Sequence, residues 1–151
     1  VDARQSKDFI IVARTDARAT EGLDAAIERG LQNKKTGADA VFIEAPRSLE
    51  EMKIIGKTIK APLVANMIEG GTTPITSAET LHKLGFKIIL YPLSVLIANT
   101  FATMNILKEL KRTGTTTKSK HKVVNFDQFN DLVELPKFQK LEKRYKFSKR
   151  E

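Results

Sequence analysis

The sequence predicts an α/β protein built on a parallel sheet, and three observations carry that expectation. Short apolar runs alternate four times with helical stretches over the first two thirds of the chain. Those runs begin at residues 9, 40, 62 and 87, a spacing that suits strand–helix units. Four such units in a row join as parallel strands through crossover connections.

Residues 9–13 (FIIVA) read as the first strand, a continuous apolar run of the kind buried on both faces of a parallel sheet. Residues 22–36 read as a helix with Leu23, Ala26, Ile27, Gly30 and Leu31 on one face, stopped at Gly37. Residues 40–44 form the second strand. Ser48 then caps a helix running to about Thr58, with Glu51 closing a capping box. Residues 62–66 are the third strand, and Ser77 opens a helix that Gly85 ends. Residues 87–91 are the fourth strand. Pro92 leads into a long helix through about Lys111, and the polar run 113–120 reads as a mobile loop. Two closing helices, 126–133 and 136–147, follow. The expected organisation is four (β/α) units over 1–112 and a basic loop with C-terminal helices over 113–151.

Composition narrows the function classes. With 41% hydrophobic and 29% charged residues, the 151-residue chain is that of a folded globular protein. No apolar run reaches the roughly 18 residues that span a bilayer, and Val1–Arg4 has no signal-like apolar region, so a cytoplasmic or organelle-matrix location is expected. Cys is absent, which excludes thiolate chemistry, and His82 and His121 are too far apart in sequence to suggest a multi-His zinc site. Charge is uneven: residues 1–107 hold 13 Lys and Arg against 12 Asp and Glu, whereas 108–151 hold 13 against 6. A solvated helical surface accounts for such a tail, and an anionic partner is the sharper alternative. Its aromatics, Phe126, Phe129, Phe138, Tyr145 and Phe147, are spaced for helix packing rather than base stacking. No nucleotide-binding glycine fingerprint follows any strand, and no nucleic-acid motif is present.

Chemistry gathers where the strands end. Arg14-Thr15-Asp16 follows the first strand, Glu44 ends the second, Asn66 ends the third with Glu69 just beyond, and Pro92 and Ser94 follow the fourth. The C-terminal ends of parallel strands are where α/β folds build sites. Arg14 offers a bidentate fork to a carboxylate. Asn66 can donate to an oxygen, and Glu44 can orient Arg14, order water or act in acid–base work. Each also has a bland structural role: an ion pair at the sheet rim for Arg14 with Asp16 or Glu44, a turn cap for Asn66.

The segments "VDARQSKDFIIVARTDA", "GADAVFIEAPRSLEEM", "APLVANMIEGGTTP" and "LGFKIILYPLS", in this order and spacing, resemble the second half of the phosphoenolpyruvate mutase/isocitrate lyase superfamily. The tail "VVNFDQFNDLVELPKFQKLEKRY" resembles its C-terminal helices, and "NMIEGG" is most similar to the carboxyphosphonoenolpyruvate mutase, oxaloacetate-cleaving and methylisocitrate lyase branches. The resemblance implies the C-terminal half of a (β/α)8 barrel followed by C-terminal helices. It implies a lyase or mutase that makes or breaks C–C or P–C bonds beside an α-oxo acid, through an enolate-like anion held against Mg²⁺. By resemblance Arg14 grips the substrate carboxylate, Glu44 lies by metal-bound water and substrate, Asn66 bonds substrate oxygens, and Glu69 supports that loop. Pro92 and Ser94 complete the substrate-binding set.

The same resemblance implies that the first four strands, with the acidic metal ligands and the acid/base Cys loop, lie outside this chain, so no Mg²⁺ ligand is expected within it. It also implies a homo-oligomer with exchanged C-terminal helices, or a chain supplying the other half barrel. Where methylisocitrate lyases carry an Arg after "YPLS", this chain has Ile97, which favours smaller α-oxo acids over tricarboxylates. The alternative expectation is a catalytically inactive half barrel serving as an assembly subunit through its basic tail.

Overall fold

The computed structural model describes residues 1–146. Within them the chain forms two compact units, the first Val1–Ile97 and the second from Ala98 onward.

The first unit is a four-stranded parallel sheet in the order β1-β2-β3-β4, with β1 Val12–Thr15, β2 Ala40–Ile43, β3 Leu63–Asn66 and β4 Phe86–Leu90. The crossovers carry α1 (Ala17–Thr20) and α2 (Leu23–Lys35), then α3 (Leu49–Thr58), then α4 (Ala78–Lys83), and α5 (Ser94–Thr113) follows β4. The alternation of strand side chains splits the interior in two. Val41, Ile43, Leu63 and Ala65 point into the main core with Ala26, Met52, Ile55 and Leu81 of the helices. Ala40, Phe42 and Val64 form a smaller cluster of their own. In register with that second set stand Val12 and Ile88 on the two edge strands, while Leu90 stands opposite Asn66, and all three are exposed in this chain.

Local chemistry explains most boundaries. Gly37 takes the left-handed conformation after α2, and Gly85 does so after α4. Ser48 accepts from the Glu51 N–H at 3.1 Å, and Ser77 from the Thr80 N–H at 3.2 Å, so both helices are capped as expected.

Three expectations are corrected here. The first strand runs over 12–15 rather than 9–13, and Phe9 and Ile10 are exposed. Asp39 sets this start: its carboxylate accepts the Ile11 N–H at 2.9 Å, and parallel pairing begins only at Val12 opposite Ala40. Leu31 is also exposed rather than part of the buried face of α2, where Ala26 and Gly30 carry the contact. The capping box at α3 is not closed. Glu51 turns instead to the Arg47 N–H at 2.8 Å and to the guanidinium of Arg18, at 2.8 and 2.5 Å.

In the second unit, α5 is followed by a 3₁₀ turn (Thr117–Lys122), α6 (Phe126–Leu132) and α7 (Leu135–Tyr145). The run 113–120 is therefore not simply a loop. Glu109 organises it by accepting the Lys118 N–H at 3.0 Å and the Ser119 hydroxyl. Asn125 and Gln128 form a reciprocal capping box at α6, and Pro136 sits in the first turn of α7, where its missing N–H is harmless. Phe126, Phe129, Phe138 and Tyr145 are exposed in this chain, because α6 and α7 bury no residue between them. Phe147 lies outside the described residues.

Candidate active site

The register of the sheet places the candidate residues side by side. Arg14 stands opposite Phe42, and Phe42 opposite Val64. Two residues further along the strands, Glu44 follows β2 and Asn66 ends β3. All the residues of the site belong to the first unit.

Arg14 is the hub. Its Nε and Nη2 donate to the two oxygens of Asp16 at 3.1 and 2.8 Å, and Nη2 also lies 3.4 Å from Glu44 Oε2. The guanidinium carbon sits 5.0 Å from the centre of the Phe42 ring, a cation–π contact between neighbouring strands. These contacts occupy the Nε edge and leave the Nη1 side for a further acceptor. The hydrogen bond from Arg14 holds the Asp16 carboxyl below its usual range, and that same bond is the main cause raising the Arg14 guanidinium.

Asn66 completes the cluster. Its Nδ2 lies 3.3 and 3.4 Å from the two Glu44 oxygens. Its Oδ1 is buried and has no hydrogen-bond partner among the described residues. Ala45, directly after Glu44, adopts a left-handed backbone at φ 58°, a conformation costly for a residue with a Cβ. Glu44, Ala45 and Asn66 line a cavity of about 220 Å³. Ile68, Gly71, Thr72 and Thr73 form its other walls. The space equals about seven waters in the liquid.

Glu69 and Ser94 form a separate pair: the Ser94 hydroxyl donates to Glu69 Oε1 at 2.5 Å, which is the main cause lowering the Glu69 carboxyl. This bond ties the loop after β3 to the start of α5. Pro92 lies exposed between β4 and α5 and joins neither pair. The structure thus brings Arg14, Glu44 and Asn66 together and places Glu69 with Ser94 beside them. Sequence reasoning missed Phe42 as the platform under Arg14, a contact that only the strand register creates. It also missed the strained turn at Ala45.

Among the described residues no group of three His, Cys, Asp or Glu side chains is placed to hold a metal ion. Asp16 and Glu44, the carboxylates nearest the centre, are both engaged by Arg14. The described residues therefore do not fit a Mg²⁺ site at this centre. Among the same residues no helix is long and apolar enough to cross a membrane.

The structure thus carries Arg14, Glu44 and Asn66 at the C-terminal edge of a parallel sheet, where α/β folds build their sites. Residues 1–111 match the phosphoenolpyruvate phosphomutase family, and the chain belongs to it, within the phosphoenolpyruvate mutase/isocitrate lyase superfamily. The chain is 45% identical over 145 residues to 2,3-dimethylmalate lyase of Eubacterium barkeri, a match covering 96% of this chain and 50% of that protein. It is 46% identical over 147 residues to the chloroplastic carboxyvinyl-carboxyphosphonate phosphorylmutase of Arabidopsis thaliana, covering 95% and 43%. Its fold is similar to that of phosphoenolpyruvate phosphomutase from Streptomyces platensis subsp. rosaceus, with a TM-score of 0.83, 28% identity, and coverage of 95% of this chain and 50% of that one. The chain thus spans about half the length of the relatives it matches.

Proposed function

We propose that this chain supplies the substrate-gripping half of a lyase or mutase acting on a small α-oxo carboxylic acid. The observation that carries the reading is the meeting of Arg14, Glu44 and Asn66 at the ends of three adjacent strands. In this role the open side of the Arg14 guanidinium takes the substrate carboxylate, with Phe42 keeping the fork in plane. Asn66 and Glu44, already hydrogen-bonded to one another, reorient toward the substrate oxygens. A cation and an amide fixed before the reaction stabilise negative charge that grows on those oxygens. Glu69, held by Ser94, fixes the loop that closes one side.

Any Mg²⁺ requirement, which the family resemblance implies, is met in this proposal by ligands outside the described residues. The two edge strands β1 and β4 support completion by a second half barrel, since each is paired on one side only. Exchange of C-terminal helices in a homo-oligomer belongs to the same proposal and is supported by the exposed apolar residues of α6 and α7. Ile97, where methylisocitrate lyases carry Arg, favours a small oxo acid over a tricarboxylate.

The test is oxalate binding by calorimetry, with and without Mg²⁺, in a barrel completed with the four preceding family units. Saturable binding that Arg14→Ala weakens by about 10- to 100-fold supports the reading. Binding that ignores Arg14, or no binding in a completed barrel, overturns it.

A further inference from the structure

A second feature of the first unit lies away from the Arg14–Glu44–Asn66 cluster, at the opposite ends of the strands. Between the C-terminal ends of α3 and α4 runs an open groove of about 750 Å³. Five lysines line it, Lys53, Lys57, Lys60, Lys83 and Lys87, and no carboxylate does. Glu50 pairs with Lys53 at 3.5 Å and Glu79 with Lys83 at 2.6 Å, both along their own helices. Lys57, Lys60 and Lys87 have no carboxylate partner among the described residues. The floor is apolar, with Ala61, Pro62 and Leu84 above the buried Ile59, and at its base Gly56 packs directly on the Leu84 backbone.

The geometry points to a docking groove for an acidic, amphipathic polypeptide segment of a partner protein. Charge complementarity sets the sign of the partner. Two helix C-termini contribute about half a negative charge each at the floor, which leaves the three unpaired lysines in excess. The same helix ends argue against a small inorganic anion. The backbone N–H groups of Leu84 and Gly85 are already spent on Thr80, Leu81 and His82, so the end of α4 does not offer them to cradle a phosphate. No aromatic side chain lines the groove to stack a base. A segment whose carboxylates meet the rim and whose aliphatic side chains meet the floor satisfies both parts. Long lysine stems lying along apolar surface add to that contact.

The experiment titrates the full chain with a labelled synthetic peptide, two repeats of Glu-Leu-Glu-Glu-Leu-Leu, read by fluorescence anisotropy. Amide spectra report the Gly56 and Gly85 signals in parallel. Saturable, salt-weakened binding that shifts both glycine signals is expected. Reversing the free rim charges together (Lys57→Glu, Lys60→Glu, Lys87→Glu) weakens it about tenfold or more. The milder Lys→Gln triple, which introduces no like-charge repulsion, weakens it in the same direction should the reversal variant misfold. Reversing the rival basic surface on α7 (Lys137→Glu, Lys140→Glu, Lys143→Glu) leaves binding within about twofold, the residual effect of net charge on encounter. Equal loss from the α7 variant, equal binding of a Gln-for-Glu peptide, or no binding overturns the proposal. So does tighter binding of inorganic triphosphate or of oligothymidylate than of the peptide.

Discussion

The Asn66 amide nitrogen lies within 3.4 Å of both Glu44 oxygens, while the carbonyl oxygen of the same amide is buried without a partner among the described residues. One half of the side chain ties β3 to the end of β2, and the other half works against folding. A buried unpaired carbonyl costs about 1–3 kcal/mol, comparable to what a hydrogen bond to a charged group returns. Asn66→Ala removes both and should change the unfolding free energy by less than about 1 kcal/mol. In a completed barrel it should lower turnover about tenfold or more, because a preorganised donor is gone. Denaturant melts and turnover on the same preparation separate the two effects. Loss of folding would show that Asn66 serves as a structural tie instead.

Arg14 makes a parallel case from the other strand. Its pair with Asp16 is about half exposed on both sides, so solvent screens it and it adds little to stability. Arg14→Lys keeps the charge but loses the planar fork that lies over Phe42. We expect Arg14→Lys to melt close to the unaltered protein and to bind a small oxo acid about tenfold more weakly. Equal affinity for the two would mean that charge alone, not the bidentate geometry, holds the ligand.

How much of this was legible before the structure depends on the range of the interaction. The last three strands, the caps at Ser48 and Ser77 and the glycine stops at Gly37 and Gly85 are local features, and each lies within a residue or two of its expected place. The parallel order follows from the repeated strand–helix spacing. The start of β1 was not legible, because Phe9-Ile10-Ile11 has every local mark of a strand. What decides it is Asp39, 28 residues away, which takes the Ile11 N–H. Glu51 was misread for the same reason: its spacing from Ser48 suggests a capping box, but Arg18, 33 residues earlier, binds it. Phe42 beneath Arg14 depends on strand register, which a pattern of apolar residues does not reveal.

The Arg18–Glu51 pair carries a prediction about acid. It joins α1 to the first turn of α3 through two short bonds, with both side chains largely covered. The bond from Arg18 is the main cause holding the Glu51 carboxyl below its ordinary value, with the Arg47 N–H acting in the same direction. A depressed carboxyl contributes stability that is present above its unfolded value, about 4.3, and is lost as the pH falls through its folded value. Asp39 adds to the same limb, chiefly through the Ile11 N–H. The melting temperature should therefore fall as the pH drops below about 4.5. Glu51→Gln should melt lower at pH 7 and show a shallower acid limb. Parallel acid limbs for the two proteins would show that the pair does not govern it.

Gly56 and Gly30 offer a test of how tightly the helices sit in the first unit. A Cβ built on Gly56 would lie 1.7 Å from the carbonyl oxygen of Leu84, a backbone atom that cannot turn aside. A Cβ on Gly30 would lie 2.6 Å from Ile59 Cδ1, the tip of a side chain that can change rotamer. Both glycines are in helices, where alanine is intrinsically favoured by about 1 kcal/mol, so propensity acts equally at the two positions. Packing decides the difference. Gly56→Ala has to push α3 away from the end of α4 and should cost about 3 kcal/mol or more. Gly30→Ala should cost about 1 kcal/mol or less once Ile59 repacks. Urea melts of the two variants, with the slope checked for constancy, give the comparison directly. A Gly56→Ala protein as stable as Gly30→Ala would mean that α3 and the Leu84 turn are not in contact as described.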